Sequence, residues 1–189
     1  MKTALHYSHE LLDQLINRFP NGYFVDATLG NGFDTLHILS QPNFNGHLYG
    51  FDIQAIALEH TLEKLEQANI APDRYDLFHR SHAELQHVIA TNQELHGAIF
   101  NLGYLPGADH TITTHAESSW QAIQQIMSQL IQGGQIILVV YWGHEAGFIE
   151  SQQLEKHLQK INQSHYQVLK YQFINQINRP PYTIVIERK

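Results

Sequence analysis

The 189-residue chain has no cysteine. That excludes disulfides, zinc-thiolate sites and cysteine nucleophiles. Basic residues are scarce: eleven Lys and Arg stand against eighteen Asp and Glu, a net charge of −7. Proteins that coat themselves in phosphate backbone are usually basic, so this balance weighs against broad nucleic-acid binding and leaves room only for a local basic patch. Long uncharged apolar runs are missing and mean hydropathy is −0.30, which excludes a membrane span. The opening MKTALHYSHELLDQL has a short apolar run broken by His9, Glu10 and Asp13. It reads as neither a signal peptide nor an anchor, and a reducing cytoplasm is the expected location. No Pro/Gly/Ser linker and no internal repeat divides the sequence, so residues 1–189 read as a single domain. What is present suffices for a core: 43% hydrophobic and 11% aromatic residues exclude disorder. Fourteen histidines can hold extra positive charge below neutral pH.

Turn signals punctuate the chain at Pro20-Asn21-Gly22, Pro42 to Gly46, Pro72-Asp73, Gly103 to Gly107, Gly133-Gly134 and Pro180-Pro181. Between them, strand and helix patterns alternate. Leu12, Leu15, Ile16 and Phe19 recur at helical spacing. Strands are predicted at 23–27, 47–53, 75–79, 97–102, 135–141, 166–174 and 182–187. Leu58, Leu62 and Leu65 mark the helix after the second strand. Trp120, Ile123, Met127 and Leu130 mark a long helix stopped by Gly133-Gly134, and a polar helix covers about 148–161. This alternation predicts an α/β fold with a mostly parallel sheet covered by helices on both faces. The two consecutive C-terminal strands form a hairpin, so one of them runs antiparallel. Ligands on such sheets bind beyond the carboxyl ends of the strands, which places the chemistry after Thr28, Asp52, His79, Leu102 and Tyr141.

Three motifs fall on that edge. Asp26-Ala27-Thr28-Leu29-Gly30-Asn31-Gly32-Phe33-Asp34-Thr35 links a strand to a helix. Its two glycines permit positive φ and close approach of a ligand to the backbone. A dinucleotide fingerprint wants a third glycine at 35, where Thr35 stands. Asp52 ends the second strand about twenty residues on. A carboxylate there can accept both hydroxyls of a ribose, whether the ribose belongs to a nicotinamide cofactor or to S-adenosylmethionine. Asn101-Leu102-Gly103-Tyr104-Leu105-Pro106-Gly107 ends the fourth strand. It resembles the N-P-P-Y motif of amino-methyltransferases, with Leu and Gly where the prolines stand. An amine nucleophile needs acceptors for its N–H bonds, which an Asn oxygen and a backbone carbonyl supply. An aromatic ring stacks on the base and stabilises the charge developing on nitrogen.

The stretches DATLGNGFDT, FDIQ, HRSHAEL, FNLGYLPGADH, VYWGHEAGFIE and FINQINRPPYTIVIE together resemble the putative rRNA methylase, or YtqB-like, family. That family includes tRNA 5-aminomethyl-2-thiouridine methyltransferases. The resemblance runs from the N-terminal helix to the last strand. It implies a class I methyltransferase (Rossmann-like) fold, a seven-stranded sheet in the order 3-2-1-4-5-7-6, and S-adenosyl-L-methionine as cofactor. The cofactor positions it implies are Asp26, Thr28, Gly30, Asn31, Gly32 and Asp52, with Asp34 and Thr35 opening the next helix beside them. Ser81 and His82 would lie near the adenine, and Asn101, Leu102, Gly103 and Tyr104 around the methyl-transfer centre, with Asn101 and Tyr104 catalytic. The substrate it implies is RNA, with the aminomethyl group at the tRNA wobble position favoured and an rRNA base amine as the alternative.

His144 and Glu145 sit on the same face, where they can contact substrate beside Tyr104 and Pro106; either His144 or solvent takes the amine proton. His79, His82, His110 and His144 have no spacing typical of a metal site, so no metal is expected. Arg80 and Arg179 lie in or beside the motifs and are the candidates for RNA contact, and a homodimer would place two such patches on one surface. A nicotinamide oxidoreductase and a non-catalytic RNA-binding module are the remaining readings. Thr35 and the NLGYLPG stretch disfavour the first, and the intact Asp26–Gly32 run with Asp52 and Asn101 disfavours the second.

Overall fold

The computed structural model describes residues 1–103 and 116–189. Helix α1 (Ala4–Arg18) starts at Thr3, whose hydroxyl accepts the His6 amide, and ends with Arg18 in its last turn. Both features suit the helix dipole and its unpaired end groups. Its face of Leu11, Leu12, Leu15 and Ile16 is buried, as the spacing predicts. There follow β1 (Tyr23–Asp26), α2 (Phe33–Leu39), β2 (His47–Asp52), α3 (Ala55–Gln67) and β3 (Tyr75–His79). A short 3-10 helix (His82–His87) leads to β4 (Leu95–Leu102). Then come α4 (Ala116–Gln129), β5 (Leu130–Val140), α5 (Glu145–Leu158), β6 (Tyr166–Tyr171) and β7 (Tyr182–Arg188).

The seven strands form one sheet in the order β3-β2-β1-β4-β5-β7-β6. Strands β1 to β5 pair in parallel, and β7 is antiparallel to both of its neighbours. The central strands are buried on both faces, which is why β5 reads as an unbroken apolar run. Successive residues point to opposite sides, so each central strand feeds two cores. Phe24, Leu48, Ile99, Ile137 and Val185 pack under α1, α2 and α3 with Leu12, Leu15, Ile38 and Leu65. Val25, Phe51, Phe100, Leu138 and Ile184 pack on the other face with Ile123 and Ile126 of α4 and Leu154 of α5.

Several boundaries differ from the sequence reading. Gly133-Gly134 does not stop α4. The helix ends at Gln129, and Leu130 already pairs with Leu95 across an irregularity before Gly97, so the glycines lie inside β5. There Gly133 adopts φ 76° without ending the strand. Helix α5 begins earlier, at Glu145, because His144 caps it, and β6 ends at Tyr171. On α3 the buried positions are Ala57, Thr61 and Leu65, while Leu62 is exposed, so the helix is rotated from the face that Leu58, Leu62 and Leu65 suggest.

This rotation is testable. Leu65→Ala removes a fully buried side chain and should cost about 2–5 kcal/mol in urea unfolding. Leu62→Ala should stay within about 0.5 kcal/mol. Equal losses would restore the leucine stripe as the packing face.

Candidate active site

The turn after β1 is stitched to both neighbouring strands. Ala27 N donates to Ile99 O of β4 at 2.9 Å, and Leu29 N donates to Phe51 O of β2 at 3.0 Å. The backbone N–H of Asn101 donates to Thr28 Oγ1 at 2.7 Å. Gly30 N donates to Asp52 Oδ2 at 2.9 Å, and Gln54 N donates to Asp52 Oδ1 at 2.9 Å. Gly30 and Gly32 adopt φ of 51° and 74° around the half-buried Asn31. Gly32 is doubly constrained, since a Cβ there would also sit 2.7 Å from Thr61 Oγ1 of α3. Below the turn, Leu29 fills the space over Gly50 of β2, where a Cβ would lie 2.6 Å from Leu29 Cδ2 and 2.7 Å from Leu77 Cδ2.

Three carboxylates converge on this edge. Asp26 is wholly buried. Its Oδ1 accepts the Thr28 amide at 3.2 Å and its Oδ2 accepts the Thr35 hydroxyl at 2.7 Å. Burial and the neighbouring Asp34 carboxylate push its pKa up to about 7 against the pull of those two bonds. Asp34 lies in the first turn of α2. It is nearly buried, with Oδ2 accepting from Asn101 Nδ2 at 2.6 Å and Oδ1 2.6 Å from His9 Nε2. Asp52 is half-buried, and each of its oxygens carries one backbone donor.

The structure therefore brings together Asp26, Thr28, Gly30, Asn31, Gly32, Asp34, Thr35, Asp52 and the side chain of Asn101. Not all of them reach the surface of the site. Thr35 is wholly buried and acts through Asp26. The Leu102 side chain belongs to the core, and its carbonyl accepts the Tyr141 amide. Gly103 follows with φ 109°. Ser81 Oγ accepts the Ala83 amide and so caps the 3-10 helix. The His82 ring is buried against Phe100, with Nδ1 2.9 Å from Ala27 O. Burial lowers its pKa, so it supports the β1 turn as a neutral ring. Tyr104 and Pro106 lie outside the described residues.

His144 is the N-cap of α5. Its Nδ1 accepts the Gly147 amide at 3.1 Å, which in the neutral ring leaves the proton on Nε2. The lone pair needed to take a substrate proton is thus committed to the cap. Glu145 is exposed in the first turn of α5. Arg80 pairs with Glu84 at 3.4 Å in solvent. Arg179 stands on the β6–β7 connection, which returns to the carboxyl edge where Tyr182 pairs with Val140. Its guanidinium lies 5.6 Å from the Trp142 ring centre and 5.0 Å from that of Phe148, on a backbone with φ 44°. Among the described residues no group of three or more His, Asp and Glu is placed to hold a metal, and no helix is long and apolar enough to cross a membrane.

Sequence reasoning missed His9 and Tyr141. His9 lies three residues before Leu12 and seven before Ile16, so the helical stripe extends to it, but its pairing with Asp34 is a tertiary event. Tyr141 follows the last residue of β5, and burial together with the Asp34 carboxylate raises its phenol pKa.

The strand order, the glycine turn after β1 and the carboxylate ending β2 define a class I, S-adenosylmethionine-dependent methyltransferase fold. Residues 48–187 match the model of the family described as putative rRNA methylase. The chain is 31% identical over 195 residues to the chloroplastic tRNA (mnm(5)s(2)U34)-methyltransferase of Arabidopsis thaliana, covering all of this chain and 70% of that protein. It superposes on a putative rRNA-methylase from Clostridium thermocellum with a TM-score of 0.92 at 37% identity, covering 100% and 99% of the two chains. A putative methyltransferase from Streptococcus mutans, solved in complex with SAH, gives 0.88 at 34% identity with the same coverage. The chain belongs to the putative rRNA methylase family.

The buried Asp26 carries a pH signature. An unfolded Asp titrates near 3.8 and the folded one near 7. Between these values the folded chain holds a proton that the unfolded chain has released, so this group makes stability fall as pH rises from about 4 to about 7. Asp26→Asn removes that dependence. In urea unfolding of the cofactor-free protein the variant should gain on wild type between pH 4 and pH 8, by up to ~4 kcal/mol. A stability difference that is constant across this window would show that Asp26 is not held above its ordinary range.

Proposed function

We propose that the protein transfers a methyl group from S-adenosylmethionine to an exocyclic amine of RNA. The favoured acceptor is the aminomethyl group of 5-aminomethyl-2-thiouridine at the tRNA wobble position. The observation that carries this reading is the Asn101 side chain at the end of β4. Its Nδ2 is tied to Asp34, which leaves the amide oxygen as an acceptor for the N–H bonds of an incoming amine. Similarity along the whole of this chain to 70% of a tRNA methyltransferase supports the choice of RNA. The family description favours rRNA as the second reading.

The residues present fit the cofactor. A carboxylate offers about four acceptor positions, and Asp52 uses two of them on Gly30 and Gln54, so lone pairs remain for two ribose hydroxyls. The positive-φ turn at Gly30 and Gly32 lets a ligand approach the backbone. Asp26, Asp34 and Asp52 give this edge negative potential, which suits a ligand with a sulfonium and an ammonium. When bound, S-adenosylmethionine supplies an electrophilic methyl on a sulfonium that is already a good leaving group. The chain's own task is then to orient the amine and exclude water, which in favourable systems is worth up to ~7–11 kcal/mol. Asn101 holds the lone pair in line, and the role proposed for Tyr104 is to offer the base an aromatic ring. Because the His144 lone pair is committed to its cap, solvent receives the amine proton.

Arg179, stacked over Trp142 and Phe148, is the favoured RNA contact, and Arg80 must exchange Glu84 for a phosphate. With a net charge of −7 the grip is confined to a stem-loop, where recognition rests on stacking and base edges. A cytoplasmic location and a homodimer pairing two such faces complete the reading.

Two measurements test it. Asp52→Ala should weaken S-adenosylhomocysteine binding by at least about 1.5–3 kcal/mol in calorimetry, because a charged acceptor is lost; unchanged affinity would remove Asp52 from the site. With labelled S-adenosylmethionine, an anticodon stem-loop carrying aminomethyl-2-thiouridine should acquire label while the same loop with plain uridine should not. Label entering rRNA but not the modified loop would overturn the tRNA assignment and leave the methyltransferase class intact.

A further inference from the structure

A polar ladder joins α1 to α2 and ends at Asn101. On α1, His9 and Asp13 stand one turn apart; on α2 and just after it stand Asp34, His37 and Gln41. His9 Nε2 lies 2.6 Å from Asp34 Oδ1, and His37 Nε2 lies 2.7 Å from Asp13 Oδ1. The two imidazoles stack with centroids 4.1 Å apart at 18°. Gln41 Nε2 donates to Asp13 at 3.0 Å and closes the far end. At the near end the other Asp34 oxygen accepts from Asn101 Nδ2 at 2.6 Å.

We propose that His9 is a positioning residue for methyl transfer, fixing the Asn101 amide through Asp34. This rests on the reading of Asn101 as the amine acceptor given above. A carboxylate accepts and does not donate, so Asn101 must present Nδ2 to Asp34 and turn Oδ1 away from it. Asp34 enforces this only while its own orientation is fixed. The His9 N–H on Oδ1 supplies the fixation, leaving Oδ2 for the amide. The stack on His37, itself anchored to Asp13, keeps the His9 ring in place. Helix α1 thus acts on the reacting centre without touching it.

The test compares His9→Leu with His9→Gln, since Gln keeps an N–H donor at nearly the position of Nε2. His9→Leu should lower kcat on the RNA substrate tenfold or more, with RNA KM and S-adenosylhomocysteine affinity within about twofold of wild type. His9→Gln should return kcat to within about threefold. A readout independent of activity is the Asn101 side-chain amide signal in the 15N-labelled, cofactor-free protein, assigned against Asn101→Asp. Its protons should be shifted downfield and exchange slowly in wild type and His9→Gln, and lose both features in His9→Leu. Normal kcat and an unchanged amide signal in His9→Leu overturn the proposal. So does a His9→Gln variant as slow as His9→Leu with its amide signal intact, which would make His9 a proton carrier. If wild type methylates no RNA but the amide signals respond as stated, the positioning role stands and the RNA reading falls.

Discussion

The hydrogen bonds that flank the 27–32 turn are available only where β1 lies between β2 and β4. Ala27 and Thr28 bind β4 on one side; Leu29 and Gly30 bind β2 and Asp52 on the other. A tight turn with two left-handed glycines carries its own conformational cost, and these bonds offset it with groups already fixed by the sheet. Asp52 and Asn101 thereby have two tasks. They hold the turn in shape and they present the acceptors that a ligand would meet. Sheet order, turn geometry and chemistry are one constraint here.

The charges in this region follow the same logic. Asp26, Asp34 and Asp52 crowd one edge, and isolated buried carboxylates are strongly unfavourable. Each is met by donors from a different part of the chain: Thr28 and Thr35 for Asp26, His9 and Asn101 for Asp34, Gly30 and Gln54 for Asp52. Asp26 is the least compensated, because it is wholly buried and its carboxylate neighbours are themselves acidic. A cationic ligand on this edge would relieve the crowding, so part of its binding energy would come from strain already present in the protein.

Much of this was legible in the sequence because it is local. The β1 turn, Asp52 and Asn101 announce themselves by residue type and by position at predicted strand ends. The strand order required the family resemblance, since periodicity alone gives elements and not neighbours. What escaped was tertiary. Leu62 and Leu65 are equally apolar, and which of them is buried is set by how α3 docks, with Thr61 close against Gly32 and Leu65 in the core. Gly133-Gly134 resembles a helix stop, yet it lies inside β5, beside the irregularity in the pairing with β4. His82, which the resemblance places near the adenine, has a ring nitrogen on the β1 turn, and His144, expected on the substrate face, caps α5; neither contact follows from local spacing. His9 precedes Asp34 by 25 residues, and no spacing rule connects them.

The contact between Leu29 and Gly50 extends this interdependence to the course of sequence change. The isobutyl group of Leu29 occupies the volume that a side chain at position 50 would need, with Leu77 closing the other side. The two positions share one allotment of space, and neither can grow unless the other shrinks. Drift at a plain strand residue with no polar atom would therefore be transmitted to the loop that shapes the site. Homologous chains with a methyl group at position 50 should carry smaller residues at both 29 and 77, a linked exchange that leaves every polar group of the site unchanged.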